Sequence, residues 1–155
     1  MAAFSSAIVV AVVALIGVAP QASAQTGQGY FYGGVIAPLF PGGSPAAALT
    51  FGGGLEALTR NGAGASLEAG AFGLGGFWAP QLSANAIYEK RTEGSRVSPF
   101  ISAGLTLSGQ AINFGGGANI WTHGRVGYRI EVRDYVQPAA NGAQVIAFRF
   151  GLTFR

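Results

Sequence analysis

The stretch Val145-Ile-Ala-Phe-Arg-Phe-Gly-Leu-Thr-Phe-Arg155 decides the fold. Taken two residues at a time, it sends Ile146, Phe148, Phe150, Leu152 and Phe154 one way. It sends Val145, Ala147, Arg149, Gly151, Thr153 and Arg155 the other way. Alternate side chains of a strand point to opposite faces. One face is therefore continuously apolar and aromatic, and the other is small or polar with an arginine at its middle.

The same division recurs along the chain, in segments that read as strands over Gly29 to Ala37, Ala46 to Leu58, Ala63 to Gly73, Gln81 to Glu89, Ser98 to Ser108, Ile112 to Thr122, Arg125 to Val136 and Ala143 to Arg155. Leu49, Phe51 and Leu55 oppose Thr50 and Glu56; Leu67 and Ala69 oppose Ser66 and Glu68; Leu82 and Tyr88 oppose Ser83 and Glu89. Ile101 and Leu105 oppose Ser102 and Thr106, and Phe114 and Ile120 oppose Asn113, Asn119 and Trp121. Val126, Tyr128, Ile130 and Val132 oppose Arg125, Arg129, Glu131 and Arg133. The first strand carries aromatics on both parities, so its faces stay open.

The polar parity collects Glu56, Glu68, Glu89 and Glu131 with Arg125, Arg129, Arg133 and Arg149. An arginine facing lipid at the bilayer midplane costs about 2–4 kcal/mol. Facing a lumen, the same guanidiniums can fork onto carboxylates. The apolar parity, exemplified by Ile146, Phe148, Phe150, Leu152 and Phe154, is then the lipid-facing one. The expected fold is all-β: an antiparallel, up-and-down, eight-stranded transmembrane β-barrel. A closed barrel leaves no unpaired edge, which a bilayer requires.

The links carry turn chemistry: Pro41-Gly42-Gly43-Ser44, Arg60-Asn61-Gly62, Gly75-Gly76 with Pro80, the charged Lys90 to Arg96, Gly109-Gln110, His123-Gly124 and Asn141-Gly142. Asn-Gly suits a tight hairpin, and links this short pair successive strands antiparallel. They also leave little room for a large ligand-binding surface outside the barrel.

Composition agrees. The 155 residues are 50% hydrophobic and only 10% charged, with 26 glycines. Beyond the N-terminal segment no apolar run is long enough for a spanning helix. With no cysteine, a disulfide framework and a thiolate metal site are excluded. The net charge of +3 is too small, and the arginines too dispersed, to suggest nucleic acid. His123, the one histidine, falls in a turn without an orienting carboxylate and nucleophile in sequence reach, so it reads as an ordinary turn residue. No cofactor is expected.

The N-terminus reads as a targeting segment. The apolar stretch Ala7 to Val18, then Pro20 and Ala22-Ser23-Ala24 before Gln25, has the layout of a secretory signal peptide, although no Lys or Arg precedes it. The expected division is a signal peptide over 1–24 and a barrel over 25–155.

An eight-stranded barrel is just wide enough for side chains to fill it, so a plugged, hydrogen-bonded interior is expected, with an ion path as the alternative. Tyr30, Tyr32, Phe77, Trp78, Trp121, Tyr128, Tyr135 and Phe154 fall mostly near strand ends and read as interfacial girdles.

The segment Phe114-Gly-Gly-Gly-Ala-Asn-Ile-Trp-Thr-His-Gly-Arg-Val-Gly-Tyr-Arg-Ile-Glu-Val-Arg-Asp-Tyr-Val136, with the final Phe148 to Arg155, resembles the C-terminal hairpins of the bacterial outer-membrane β-barrel domain family, the small OmpA-like barrels. Ser98-Pro99-Phe100 with Gly104 resembles the preceding family strand. The likeness covers about Pro99 to Arg155, and the N-terminal half in pattern alone. It implies residence in the bacterial outer membrane, with outer-membrane lipid and the barrel-insertion machinery as partners and no nucleic acid. A terminal aromatic marks such chains for insertion; here Phe154 is followed by Arg155. Some relatives append a peptidoglycan-binding domain, and none is expected here. The leading expectation is a structural or adhesive barrel without catalysis. The alternatives are a narrow pore for small solutes, a barrel enzyme acting on lipid acyl chains, and a soluble lipocalin-like carrier. Oligomeric state stays open.

Overall fold

The computed structural model describes residues 26–39, 48–74, 76–107, 110–122, 124–138 and 143–155. The signal-peptide reading, the turns over Pro41 to Ser44 and Asn141-Gly142, Gly75, Gly109 and His123 lie outside the described residues. The strands are β1 (Thr26–Leu39), β2 (Ala48–Leu58), β3 (Ala63–Leu74), β4 (Phe77–Glu89), β5 (Val97–Thr106), β6 (Ala111–Trp121), β7 (Val126–Gln137) and β8 (Ala143–Phe154). Each pairs antiparallel with its sequence neighbour, and β1 pairs with β8 to close the barrel. The closing register sets Gly29 opposite Phe154 and Val35 opposite Phe148.

β1 and β4 run furthest beyond their expected bounds. β4 begins at Phe77 rather than Gln81, with Pro80 inside it opposite Ala71. Proline cannot donate to a ladder. Among the described residues the β4–β5 ladder runs from Ser83 onward, so Pro80 stands outside it, near the end of the strand. β1 similarly continues through Pro38, which lies opposite Val145 of β8.

The distribution of side chains is inverted relative to a soluble barrel. Phe31, Leu55 and Ile101 on the outer wall are 65%, 70% and 65% exposed, and Phe148, Phe150, Leu152 and Phe154 also face outward. Glu56, Glu68, Glu89, Asn113, Asn119, Arg129, Glu131, Arg133 and Arg149 are buried inside. Small apolar clusters lie toward the two ends of the interior: Leu58, Ile87 and Phe100 near the end where β1 begins, and Ile36, Ala111, Tyr135 and Ala147 near the other.

The first strand resolves through its partners. Gln28, Tyr30 and Tyr32 point inward, while Phe31 points outward. Tyr30 lies opposite Gly54 and Tyr32 opposite Gly52. These glycines are sockets: a Cβ on Gly54 would sit 2.5 Å from the Tyr30 hydroxyl, and one on Gly52 would sit 2.6 Å from that of Tyr32. Both would also press on backbone carbonyls of β3. Gly54→Ala is therefore expected to destabilise the barrel by about 1–3 kcal/mol, the usual cost of overpacking. Urea titration of the folded, heat-modifiable gel band checks this.

At the β2–β3 turn, Gly62 has φ +88° and donates its N–H to the Thr59 carbonyl. Its own carbonyl accepts from Glu89 N, and a Cβ there would lie 1.9 Å from the Glu89 oxygen. The Asn61-Gly62 pair thus docks one hairpin against the end of the next, with Thr59 Oγ1 bonding both the Asn61 side chain and the Ala63 carbonyl.

Candidate functional site

The candidate site is the buried charge network that crosses the interior. Glu68, on β3, is its hub. Arg149 from β8 forks onto it, with Nη1 to Oε2 and Nη2 to Oε1 both at 3.0 Å. Arg133 Nη1 approaches Oε2 at 3.3 Å. The hydroxyls of Tyr30 and Tyr32 donate to the same carboxylate at 2.7 and 3.1 Å, and Gln81 Nε2 donates at 3.1 Å. A carboxylate has about four acceptor sites; those of Glu68 are fully engaged by the protein itself.

From Glu68 the charges alternate toward the end where β1 begins. Arg133 reaches Glu131 at 2.5 Å, Glu131 meets Arg129 Nε at 3.2 Å, and Arg129 Nη1 lies 3.0 Å from Glu56. Gln28 Nε2 joins Glu56 to Glu89, donating to Glu89 at 2.9 Å. Asn119 donates to Glu89 at 2.7 Å, and Arg91 enters from the β4–β5 link to pair with Glu89 at 2.6 Å. Four carboxylates (Glu56, Glu68, Glu89, Glu131) thus balance four guanidiniums (Arg91, Arg129, Arg133, Arg149). Burying an ion is tolerable only with such pairing and hydrogen bonding.

Aromatic rings complete the enclosure. The Arg129 guanidinium lies 4.1 Å from the Tyr30 ring centre and 3.9 Å from that of Phe100, and Arg149 lies 4.0 Å from that of Tyr32. These are cation–π distances. Arg129 and Arg133 are each 1% exposed, although the interior runs between the two ends of the barrel.

No protein-family profile matches the chain, and no curated protein sequence matches it. Solved structures do. Neisserial surface protein A is similar over 85% of this chain and 99% of that one, at 14% identity and a TM-score of 0.67. The N-terminal β-barrel domain of Pseudomonas aeruginosa OprF covers 84% of this chain and 98% of its own, at 15% identity and a TM-score of 0.62. A de novo designed transmembrane β-barrel covers 82% and 93%, at 13% identity and a TM-score of 0.57. The fold is that of the small outer-membrane barrels.

Within this small outer-membrane-barrel fold, Glu56, Glu68, Glu89, Arg129, Glu131, Arg133 and Arg149 converge in one interior network. Arg125 does not join them. It stands in the β6–β7 turn before Val126, exposed, with its carbonyl accepting from Arg155 N at 2.9 Å. Its parity is inward, but it lies beyond the end of the strand, where no interior remains to enter. The girdle expectation also needs correction. Phe77, Trp78, Tyr128 and Phe154 are on the outer wall, whereas Tyr30, Tyr32, Trp121 and Tyr135 are buried inside.

The network also holds residues that parity alone did not select. Gln28, Tyr30 and Tyr32 come from the strand whose faces were open, and the glycines at positions 52 and 54 were the available signal. Tyr135, expected in a girdle, accepts a hydrogen bond of 2.8 Å from Gln81 beside Glu68. Arg91 comes from a link, where alternation has no meaning.

Proposed function

We propose that the chain is an integral protein of the bacterial outer membrane with a structural or adhesive role, its interior plugged by its own side chains. The observation that carries this reading is the apolar wall around a charged, balanced core. In water, Phe31, Leu55 and their neighbours would present a continuous hydrophobic surface far beyond what soluble monomers expose. In a bilayer that wall is solvated by hydrocarbon, and only a closed barrel or a helix satisfies the backbone there. The likeness to outer-membrane barrels supports the same reading.

The core supports a role without transport or catalysis. Glu68 has its acceptor capacity taken by five neighbours, so it is not poised as a general base. Moving an ion through the lumen would require parting at least one of the buried pairs that cross it. The chain in planar bilayers is expected to show no single-channel steps, together with heat-modifiable migration on gels after extraction from outer membranes. Discrete, reproducible conductance steps would overturn the plugged interior, and a band indifferent to heating would overturn the barrel in the membrane.

A further inference from the structure

Apart from Asp134, the charged side chains outside the lumen are segregated to one end. The end where β1 begins and β8 finishes carries the links 59–62, 90–96 and 122–125. Exposed there are Arg60, Lys90, Arg96, Arg125 and Arg155, against one exposed acidic side chain among the described residues, Glu93. Arg155 rests on the Trp121 ring at 4.0 Å. Among the described residues, Arg60, Lys90, Arg96 and Arg125 enter none of the barrel's ion pairs.

The links at the opposite end are uncharged in sequence. The links 40–47, 75–76, 107–110 and 138–142 contain no Asp, Glu, Lys or Arg. The outer side chain nearest to them that can ionise is Asp134, half-buried and bonded by Gln144.

From this segregation we propose that the cationic end is a binding face for anionic phospholipid headgroups, docking on the leaflet from which the barrel inserts. The proposal rests on the reading that the wall lies in lipid. The cations continue that wall: Lys90 follows closely on the exposed Tyr88, Arg96 adjoins the exposed Val97, and Arg155 adjoins Phe154. Residues at such a boundary sit at headgroup level, with phosphates in reach, which favours a lipid surface over a soluble polyanion. Near an anionic surface each Lys or Arg contributes about a fivefold bias in partition, attenuated by salt.

The test uses the full barrel, refolded from urea into vesicles of phosphatidylcholine alone or mixed with phosphatidylglycerol. The chain has no cysteine, so Asn61→Cys in the β2–β3 turn reports orientation through a membrane-impermeant maleimide added outside. Phosphatidylglycerol is expected to raise insertion of the parent chain by at least about tenfold at low salt, with Asn61→Cys labelled from outside and the gain abolished by high salt. The variant Arg60→Gln/Lys90→Gln/Arg96→Gln/Arg125→Gln is expected to insert into phosphatidylcholine as the parent does and to lose the gain. The charge-retaining variant Arg60→Lys/Arg96→Lys/Arg125→Lys should keep it. A gain that survives the quadruple substitution or high salt, or an Asn61→Cys label protected in inserted protein, would overturn the proposal. Failure of the parent chain to insert into any vesicle would instead overturn the membrane reading beneath it, and the proposal with it.

Discussion

Glu68→Ala is expected to cost the barrel about 3–5 kcal/mol, the penalty for breaking a buried ion pair by removing one partner. The residue receives the forked Arg149, a contact from Arg133, two tyrosine hydroxyls and Gln81. Without it, Arg133 and Arg149 are left with Glu131, which lies 4.0 Å from Arg149 and also pairs with Arg129, so three guanidiniums share one carboxylate. Glu68→Gln restores shape and little stability, because charge is what the arginines need. The paired variant Glu68→Gln/Arg149→Gln is expected to cost less than the sum of its two single changes, since it removes both signs together. Urea unfolding of the vesicle-inserted protein, followed by tryptophan fluorescence and gel migration, measures all four corners of this cycle. Additive costs would show that the network is packing rather than electrostatics.

The second large effect concerns the outer wall. Phe150→Arg is expected to lower stability in a bilayer by about 2–4 kcal/mol, the cost of a mid-wall arginine facing hydrocarbon. Phe150 pairs with Gly33 and Ile130 on the neighbouring strands, well away from either rim. Val97→Arg, at the first residue of β5 and beside Arg96, sits at headgroup level and should cost no more than about 1 kcal/mol. The ratio between the two positions is the informative quantity, and the same urea titration supplies it. Equal costs would mean that the wall has no depth, as in a protein surrounded by water.

Much of this architecture was legible in the sequence because alternation is a binary signal. Phe148, Arg149 and Phe150 must point out, in and out once they share a strand, and charges on the minority face reveal which side is the lumen. Height along the barrel is a different quantity, and parity does not encode it. Arg125 and Arg129 share a parity, yet one stands in a turn and the other in the core. The tyrosines of β1 were undecided for a related reason. Phe31 and Tyr32 are both aromatic, and only the cross-strand register, which sets Gly52 and Gly54 beneath the tyrosines, assigns the faces. Pro80 reads as a breaker in one dimension, yet it lies inside β4 opposite Ala71, near the end of the strand and outside the β4–β5 ladder of the described residues. Arg91 folds back from a link to balance Glu89, and no periodicity could announce that.

The central claim is that this barrel is turned inside out relative to a soluble one. Spin labels placed singly by cysteine along β4 test it most directly, because the native chain has no cysteine to confuse the labelling. Labels at Leu82, Ala84 and Ala86 should collide readily with dissolved oxygen and hardly at all with a water-soluble nickel chelate. Labels at Ser83, Asn85 and Ile87 should be shielded from both. An oxygen profile with its maxima at Ser83, Asn85 and Ile87, or one without a two-residue period, would contradict the account.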